Sequence, residues 1–166
     1  MAALVPLLFA LVFPAHAAAA LFAAEGRDIR AEIEAARLEG RRLAVVFELP
    51  DCANCLKMKR EVFSDQRAET DFGRAYRTVR IDLASVSPIT DARGEVRTPQ
   101  EFAQGLGLFA TPSFAFFASD GSLEYRHAGG LASPSDLMRL GRFVAEALYE
   151  ERPFSDYLHS SVKHHH

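Results

Sequence analysis

The stretch "FELPDCANCLKMKREVF", residues 47–63, contains both cysteines of this chain, Cys52 and Cys55, with two residues between them. It continues the run "RLAVVFEL", residues 42–49, which is short, apolar and rich in β-branched residues. Such a run is typical of a buried strand, and Pro50 marks its end. The sequence therefore predicts that the cysteine pair follows a central strand directly.

A helix is predicted immediately after this strand, from Cys52 to about Phe63. Asp51 is a residue type that favours the N-cap position, and it precedes the first residue of the pattern. Leu56, Met58 and Val62 are among the apolar positions of this segment. The cysteine pair is thus expected at a strand-to-helix junction, on the first turn of the helix.

The rest of the chain alternates between helical and extended patterns. Helices are predicted over residues 27–39, 64–76, 100–108 and 135–149, and strands over 77–83, 111–121 and 122–130. A helical crossover between the first two strands implies parallel pairing, whereas an Asp-Gly turn joins the last two as a hairpin. The predicted fold class is α/β, with a central mixed four-stranded sheet flanked by helices.

Composition and charge indicate one globular domain, predicted over residues 25–150. Apolar residues make up 49% of the chain and charged residues 25%, and the net charge of −3 is spread without a basic stripe, which argues against nucleic acid as a partner. Residues 84–99 are polar and contain two prolines and a glycine, so they are predicted to form a surface loop or small hairpin. Residues 151–166 are predicted to be a C-terminal tail, whose closing His-His-His resembles a tag remnant or a native basic tail.

The first 20 residues contain no Lys, Arg, Asp or Glu. An apolar run from Leu4 to Phe13 is followed by Ala15-His16-Ala17, the pattern of a secretory signal peptide and its cleavage site. An uncleaved membrane anchor is the alternative, although the run is shorter than a span of about 20 apolar residues. We therefore expect residues 1–20 to direct export, which in a bacterium means the periplasm.

Three interpretations of the cysteine pair compete. A zinc site needs four ligands, and the chain has only two cysteines and no suitably spaced histidine pair, so no metal is expected. A structural disulfide is possible in an oxidising compartment, yet a bond across two residues removes little entropy from the unfolded chain. Redox chemistry fits best, because C-x-x-C at a strand-to-helix junction in a βαβ setting is typical of thiol–disulfide exchange.

The spacing of the two cysteines suits a division of roles. Cys52 lies near the helix start, where unpaired N–H groups and the helix dipole favour a thiolate, so it is the expected attacking sulfur. Cys55, about one turn later, is positioned to resolve the mixed disulfide. The charge of Asp51 opposes a Cys52 thiolate, and Lys57 and Lys59 favour it unless they are simply solvated.

With the strand, the C-x-x-C helix and Thr111-Pro112 together, the chain resembles a thioredoxin-fold protein over about residues 25–150. In that family a cis-proline loop opens the third strand and faces the cysteines. The resemblance implies a cis Thr111–Pro112 bond and a loop on which an extended substrate segment docks. It also implies an enzyme of the protein-disulfide oxidoreductase type that needs no cofactor.

Some motif residues differ from cytosolic thioredoxin, whose Trp-Cys-Gly-Pro-Cys is replaced here by Asp51-Cys52-Ala53-Asn54-Cys55. The buried aspartate of that family falls at Val46. Glu48, two residues further and on the same face of the strand, is the nearest substitute as a proton acceptor for Cys55. The alternative is that Glu48 is a strand-end charge that reaches solvent.

The run "EVFSDQRAETDFGRAYRTVRIDL", residues 61–83, and the insertion before Thr111 are similar to SoxW-type and related periplasmic thioredoxins. That resemblance implies a role in sulfur oxidation, with a sulfur-carrier protein among the thiol and disulfide substrates. It also implies a membrane thiol transporter of the DsbD or CcdA kind as electron donor.

Several other residues carry weaker expectations. Phe109 is expected in the core, with the lining of a partner groove as the alternative, and His127 is expected to be structural or exposed. The insertion carries Asp91, Arg93, Glu95 and Arg97, which either influence partner choice or are simply solvated.

The function expected from the sequence is that of an exported thiol:disulfide oxidoreductase that reduces its partners. Two alternatives stay open. One is a periplasmic disulfide oxidase or isomerase, and the other is a non-catalytic binding or chaperone-like module with a stable disulfide.

Overall fold

The computed structural model of the protein describes residues 21–160. The predicted signal peptide, residues 1–20, and the last six residues lie outside this range. The strands are β1 Phe22–Glu25, β2 Arg42–Glu48, β3 Tyr76–Asp82, β4 Ile89–Thr90, β5 Val96–Arg97, β6 Ser113–Phe117 and β7 Leu123–Ala128. The helices are α1 Ile29–Leu38, α2 Ala53–Glu61, α3 Gln66–Ala75, α4 Pro99–Gly105, α5 Pro134–Ala145 and α6 Phe154–Ser160, with a short 3-10 helix at Leu148–Glu150.

Five strands form one mixed sheet in the order β1-β3-β2-β6-β7. β1 and β2 pair with β3 in parallel, whereas β6 pairs antiparallel with both β2 and β7. The predicted α/β class and the mixed central sheet are confirmed. The carboxyl ends of β2 and β3 and the amino end of β6 meet at one edge, which brings the cysteine motif and Thr111-Pro112 together.

Helices cover both faces of the sheet and bury two apolar clusters. On one face α2, α3 and α5 pack against alternate side chains of β2 and β6, among them Val46, Phe114 and Phe116. On the other face α1 and α4 pack against the remaining positions, among them Val45, Phe47 and Phe117. β2 is therefore buried on both faces, which explains its continuous apolar sequence.

The sheet has five strands instead of the four expected, because Phe22–Glu25 adds a parallel edge strand to β3. Its sequence, "FAAE", is too short and too rich in alanine to show a period-2 pattern. The strand is held by sheet pairing and by its first residue, whose ring packs edge-on against Phe63 with centroids 5.0 Å apart.

The assignment of residues 151–166 to a tail is wrong for residues 151–160. These residues include α6, and its first residue Phe154 is buried against Phe143, with ring centroids 5.3 Å apart. The domain therefore extends at least to residue 160. A seven-residue helix after Pro153 gave too short a pattern to distinguish from a polar tail.

The insertion at residues 84–99 contains the two-stranded hairpin β4–β5. A small hairpin is one of the two forms predicted for this segment. Buried Asp91 organises it by accepting hydrogen bonds from the backbone N–H groups of Arg93 and Glu95, both at 2.9 Å, and from Arg97 Nε at 2.7 Å. The charges of Asp91 and Arg97 therefore have a structural use within the hairpin. Across residues 21–160, none of the helices has the length and apolar character that a membrane crossing requires.

Candidate active site

The cysteine motif begins with Cys52 as the N-cap of α2. Its backbone is extended, with φ −78° and ψ 113°, and its sulfur accepts a hydrogen bond from the Cys55 N–H at 3.2 Å. The prediction that Asp51 caps the helix is wrong by one residue, because the side chain of Cys52 takes that role and Asp51 is exposed. The capping contact places the Cys52 sulfur at the positive end of the helix dipole.

The two thiols are free and differ in exposure: Cys52 is half-buried, whereas Cys55 is only 4% exposed. The intervening Ala53 and Asn54 are exposed. A partner disulfide can therefore reach the Cys52 sulfur more readily than the Cys55 sulfur.

The protonation of the two thiols differs in the same sense. Burial alone raises the pKa of the Cys52 thiol, but hydrogen bonds with Cys55, with Thr111 and with the backbone N–H groups of Cys55 and Asn54 outweigh it, so the pKa lies below 9.0. Burial raises the pKa of the Cys55 thiol to about 11, and the neighbouring Cys52 adds to that rise. At a given pH, Cys52 is therefore ionised to the thiolate more readily, whereas Cys55 keeps its proton more readily.

The peptide bond between Thr111 and Pro112 is cis, as the resemblance implied. The Cys52 thiol donates a hydrogen bond to the Thr111 carbonyl oxygen at 3.5 Å, so the loop before β6 lies directly against the accessible sulfur. Pro112 itself is buried beneath this contact. The hydrogen bond between Cys52 and Thr111 joins two segments that lie 59 residues apart in sequence.

A second loop, residues 129–131, lies beside the cis-proline. Gly129 N–H donates to the Pro112 carbonyl at 2.9 Å, and Leu131 N–H donates to Met58 Sδ at 3.3 Å. Met58 is buried on α2, one turn after the cysteines. Its sulfur therefore fixes this loop relative to the cysteine helix, a role that the sequence did not reveal because methionine at an apolar helical position predicts only core packing.

A cavity of about 300 Å³ opens beneath Cys55. Glu48, at the end of β2, lines it together with Cys55, Lys59 and Arg80. Burial raises the pKa of Glu48, and the positive charges of Arg80 and Lys59 partly offset that rise. The structure thus places Glu48 in the lining of the same cavity as Cys55, whereas Val46 is fully buried in the core. Lys57 does not line this cavity and pairs instead with Glu61 at the helix surface.

Exposed apolar side chains lie at the sheet edge that carries the cysteines. Leu49 and Leu56 flank the motif, and Phe109, two residues before Thr111, is 82% exposed. The expectation that Phe109 belongs to the core is wrong, because Leu108 fills the buried position next to it and the chain turns Phe109 outwards. The exposure of Phe109 permits the alternative interpretation, in which its side chain is available to a partner.

Arg80 is a cavity residue that the sequence did not reveal, as are Glu25 and Asp82. Its guanidinium lies over the ring of Phe22, 4.8 Å from the centroid, so it depends on the unpredicted strand β1. Among residues 21–160 no three His, Cys, Asp or Glu side chains are grouped so that they could hold a metal ion.

A cysteine pair at a strand-to-helix junction, facing a cis-proline across the edge of a mixed sheet, defines the thioredoxin-like class of proteins. Comparison with family models agrees with this geometry. The chain belongs to the thioredoxin-like domain family, whose model matches residues 29–145. Comparison with curated proteins finds no match.

Solved structures confirm the fold. A thioredoxin-fold protein from Helicobacter pylori has a TM-score of 0.65 at 12% identity, over 89% of this chain and 93% of that one. A thioredoxin from Thermus thermophilus gives 0.55 at 20% identity, covering 73% and 88% of the two chains. The oxidised C-terminal domain of DsbD from Neisseria meningitidis gives 0.50 at 17% identity, covering 68% and 89%.

Proposed function

We propose that this protein is an exported thiol:disulfide oxidoreductase that reduces disulfides or persulfides of periplasmic partner proteins. The observation that carries the proposal is the asymmetry of the cysteine pair. One sulfur is accessible, caps a helix and has a lowered pKa, while the other is buried with a raised pKa one turn away. A purely structural disulfide has no need of this difference.

The chemistry begins with the Cys52 thiolate. It attacks one sulfur of a partner disulfide, and the other partner sulfur leaves as a thiolate that takes a proton from water. The bound partner segment lies along Thr111 and Pro112, beside the sulfur it has to reach. The product of this half-reaction is a mixed disulfide between Cys52 and the partner.

The second half-reaction releases the partner. Cys55 gives its proton to the Glu48 carboxylate and attacks the Cys52 sulfur, so that the Cys52–Cys55 bond forms and the partner leaves reduced. Two electrons have then passed from the cysteine pair to the partner. The motif-flanking residues Asp51, Ala53 and Asn54 are exposed around Cys52 and form part of the surface that the partner meets.

The identity of partner and donor is proposed on resemblance. The similarity of residues 61–83 and of the insertion to SoxW-type thioredoxins favours a sulfur-carrier protein as substrate, and a membrane transporter of the DsbD or CcdA kind as the source of electrons. Export to the periplasm is proposed from the composition of residues 1–20.

Turnover of a disulfide substrate tests the enzymatic proposal. Insulin reduction with dithiothreitol as donor is expected for the wild type, and Cys52→Ser is expected to abolish the acceleration. Leu38→Ser is a matched control, since it alters an exposed residue on α1, outside the cysteine motif. Equal rates for the wild type and Cys52→Ser would leave only the non-catalytic alternative.

The reduction potential of the Cys52–Cys55 pair tests the direction. Thioredoxin-fold proteins range from about −270 mV for thioredoxin to about −120 mV for the oxidant DsbA. We expect a value in the reducing half of that range, measured by equilibration with dithiothreitol or glutathione. A value close to that of DsbA would reverse the direction and make the protein a disulfide donor.

A further inference from the structure

The cavity beneath Cys55 is rich in charge. Its charged side chains come from four different elements: Glu25 from β1, Glu48 from β2, Lys59 from α2, and Arg80 and Asp82 from β3. The remaining lining is apolar apart from the Cys55 thiol. Of these charges, Arg80, Lys59 and Asp82 act on the protonation of Glu48 within the shared cavity.

The register of the sheet places Arg80 on the side of Glu48. Val46 pairs with Arg80, and Glu48 pairs with Asp82, in the parallel ladder between β2 and β3. Since alternate residues of a strand share a face, Glu48 and Arg80 both point towards α2 and its cysteines. Arg80 lies opposite Val46, so it is two residues further than Glu48 from the end of the sheet that carries the cysteines.

Arg80 is held in place by packing. Its guanidinium lies 4.8 Å from the ring centroid of Phe22, and that ring rests edge-on against Phe63. A cation held over an aromatic face in this way is restrained from swinging into solvent. Within residues 21–160 no carboxylate lies within ion-pair distance of Arg80, so direct contact does not neutralise its charge.

We propose that Arg80 is a positioning residue of the resolving step, whose fixed charge keeps Glu48 ionised beside Cys55 and so ready to accept its proton. This inference rests on the proposed function. In the step that Arg80 assists, the Cys55 thiol loses its proton to Glu48, the new Cys52–Cys55 bond forms, and the leaving thiolate is protonated by water. Glu48 then returns its proton to water through the cavity.

Lys59 lines the same cavity but differs from Arg80 in its surroundings. It is exposed on α2, so water screens its charge, and no ring holds its side chain among the described residues. We therefore expect its removal to have a smaller effect. Arg60, the next residue, is also exposed but does not line the cavity, which makes it a matched arginine control.

The resolving step can be measured by mixing reduced protein with oxidised glutathione. The glutathione concentration is set high enough that the observed rate no longer increases with it. The rate then reports the attack of Cys55 on glutathionylated Cys52, and its rise with pH reports the ionisation of Glu48. We expect Arg80→Met to move this rise to higher pH by about 0.5–1 unit, the effect of one partly solvated charge. Arg80→Lys, which keeps the positive charge, is expected to show little of this shift, and Arg60→Met none.

A second pair of variants shows whether Arg80 acts through Glu48. In a Glu48→Gln background the rate is expected to rise only towards the high pKa of Cys55, and Arg80→Met should then add no further shift. An equal shift in both backgrounds would overturn the inference, because Arg80 would then act on the thiols or the fold. Phe22→Leu, which keeps apolar packing but removes the ring, is expected to give a smaller shift in the same direction.

The outcomes separate the two proposals. A wild type that keeps its first glutathione, with no release by Cys55, would overturn the proposed function and this inference with it. A wild type that releases glutathione normally, but whose pH dependence is unchanged in Arg80→Met, would overturn the role of Arg80 alone. Urea unfolding of each variant distinguishes a lost fold from a lost charge.

Discussion

Two chemically identical thiols acquire different properties here from position alone. Cys52 caps a helix and its sulfur accepts the Cys55 N–H, whereas Cys55, on the first turn, is 4% exposed and lines the cavity that holds Glu48. The helix terminus and hydrogen bonds favour the charged form of the first, and desolvation disfavours that of the second. The difference between the two thiols therefore follows from their positions, three residues apart, at the start of one helix.

Alkylation of the reduced protein with iodoacetamide should show this difference. Because the pKa of Cys52 lies below 9.0 and that of Cys55 is about 11, we expect Cys52 to react first at every pH from neutral to mildly alkaline. Peptide mass spectrometry measures the two rates. The urea-unfolded protein is the control, in which both cysteines should react alike, and equal rates in the folded protein would contradict the assigned roles.

His127 is a second residue whose surroundings oppose its charge. Its ring lies between Phe114 and Phe154, with centroids 6.0 and 5.3 Å away, and its buried Nε2 has no hydrogen-bond partner among the described residues. Burial lowers the pKa of His127 from 6.5. The expectation of a structural histidine fits this position better than that of an exposed one.

The stability of the protein should depend on pH through His127. As pH falls below 6.5, the unfolded chain binds a proton at this site that the folded chain does not, so the free energy of unfolding decreases. We expect His127→Phe to remove this part of the dependence, as shown by urea unfolding at pH 7.5 and pH 5.0. An identical loss of stability in wild type and variant would show that other groups cause it.

At the scale of elements, α6 and the loop before β6 contain two phenylalanines with opposite surroundings. Phe154 packs against Phe143 and His127 and is 5% exposed, whereas Phe109 is 82% exposed. Phe154 therefore ties α6 to the core of the domain.

We expect Phe154→Ala to lower the free energy of unfolding by about 3 kcal/mol, since it removes a buried ring and leaves a cavity. Phe109→Ala is the matched control and should change stability by less than about 0.5 kcal/mol. Equilibrium urea unfolding measures both. If the two substitutions cost the same, α6 is not part of the folded domain.

Elements with a strong local signal could be predicted from sequence. β2 is a continuous apolar run, and α5 begins with Ser133 as N-cap and proline at its first position, both of which are typical signals of a helix start. β1 and α6 were not predicted, because four and seven residues are too few for a period to show and both depend on packing against distant segments. Phe109 was misassigned because aromatic composition alone says nothing about which way a loop turns.

At the scale of the molecule, the candidate site is assembled from segments far apart in the chain. The sheet order brings the end of β2, the cis-proline loop and residues 129–131 to one edge, around the first turn of α2. The cysteines, Thr111, Pro112 and Glu48 could be proposed from sequence because they belong to recognisable motifs or flank them. Arg80 could not, since its place in the cavity depends on the register between β2 and β3 and on the added strand β1.

The most direct test of the central claim, that Cys52 attacks and Cys55 resolves, is to trap the mixed disulfide. Cys55→Ser and Cys52→Ser variants are incubated with a disulfide-containing protein such as insulin, and adducts are located by non-reducing electrophoresis and mass spectrometry. We expect Cys55→Ser to accumulate an adduct through Cys52 and Cys52→Ser to form almost none. An adduct that forms equally through Cys55, or through neither cysteine, would contradict the assignment of an attacking and a resolving sulfur.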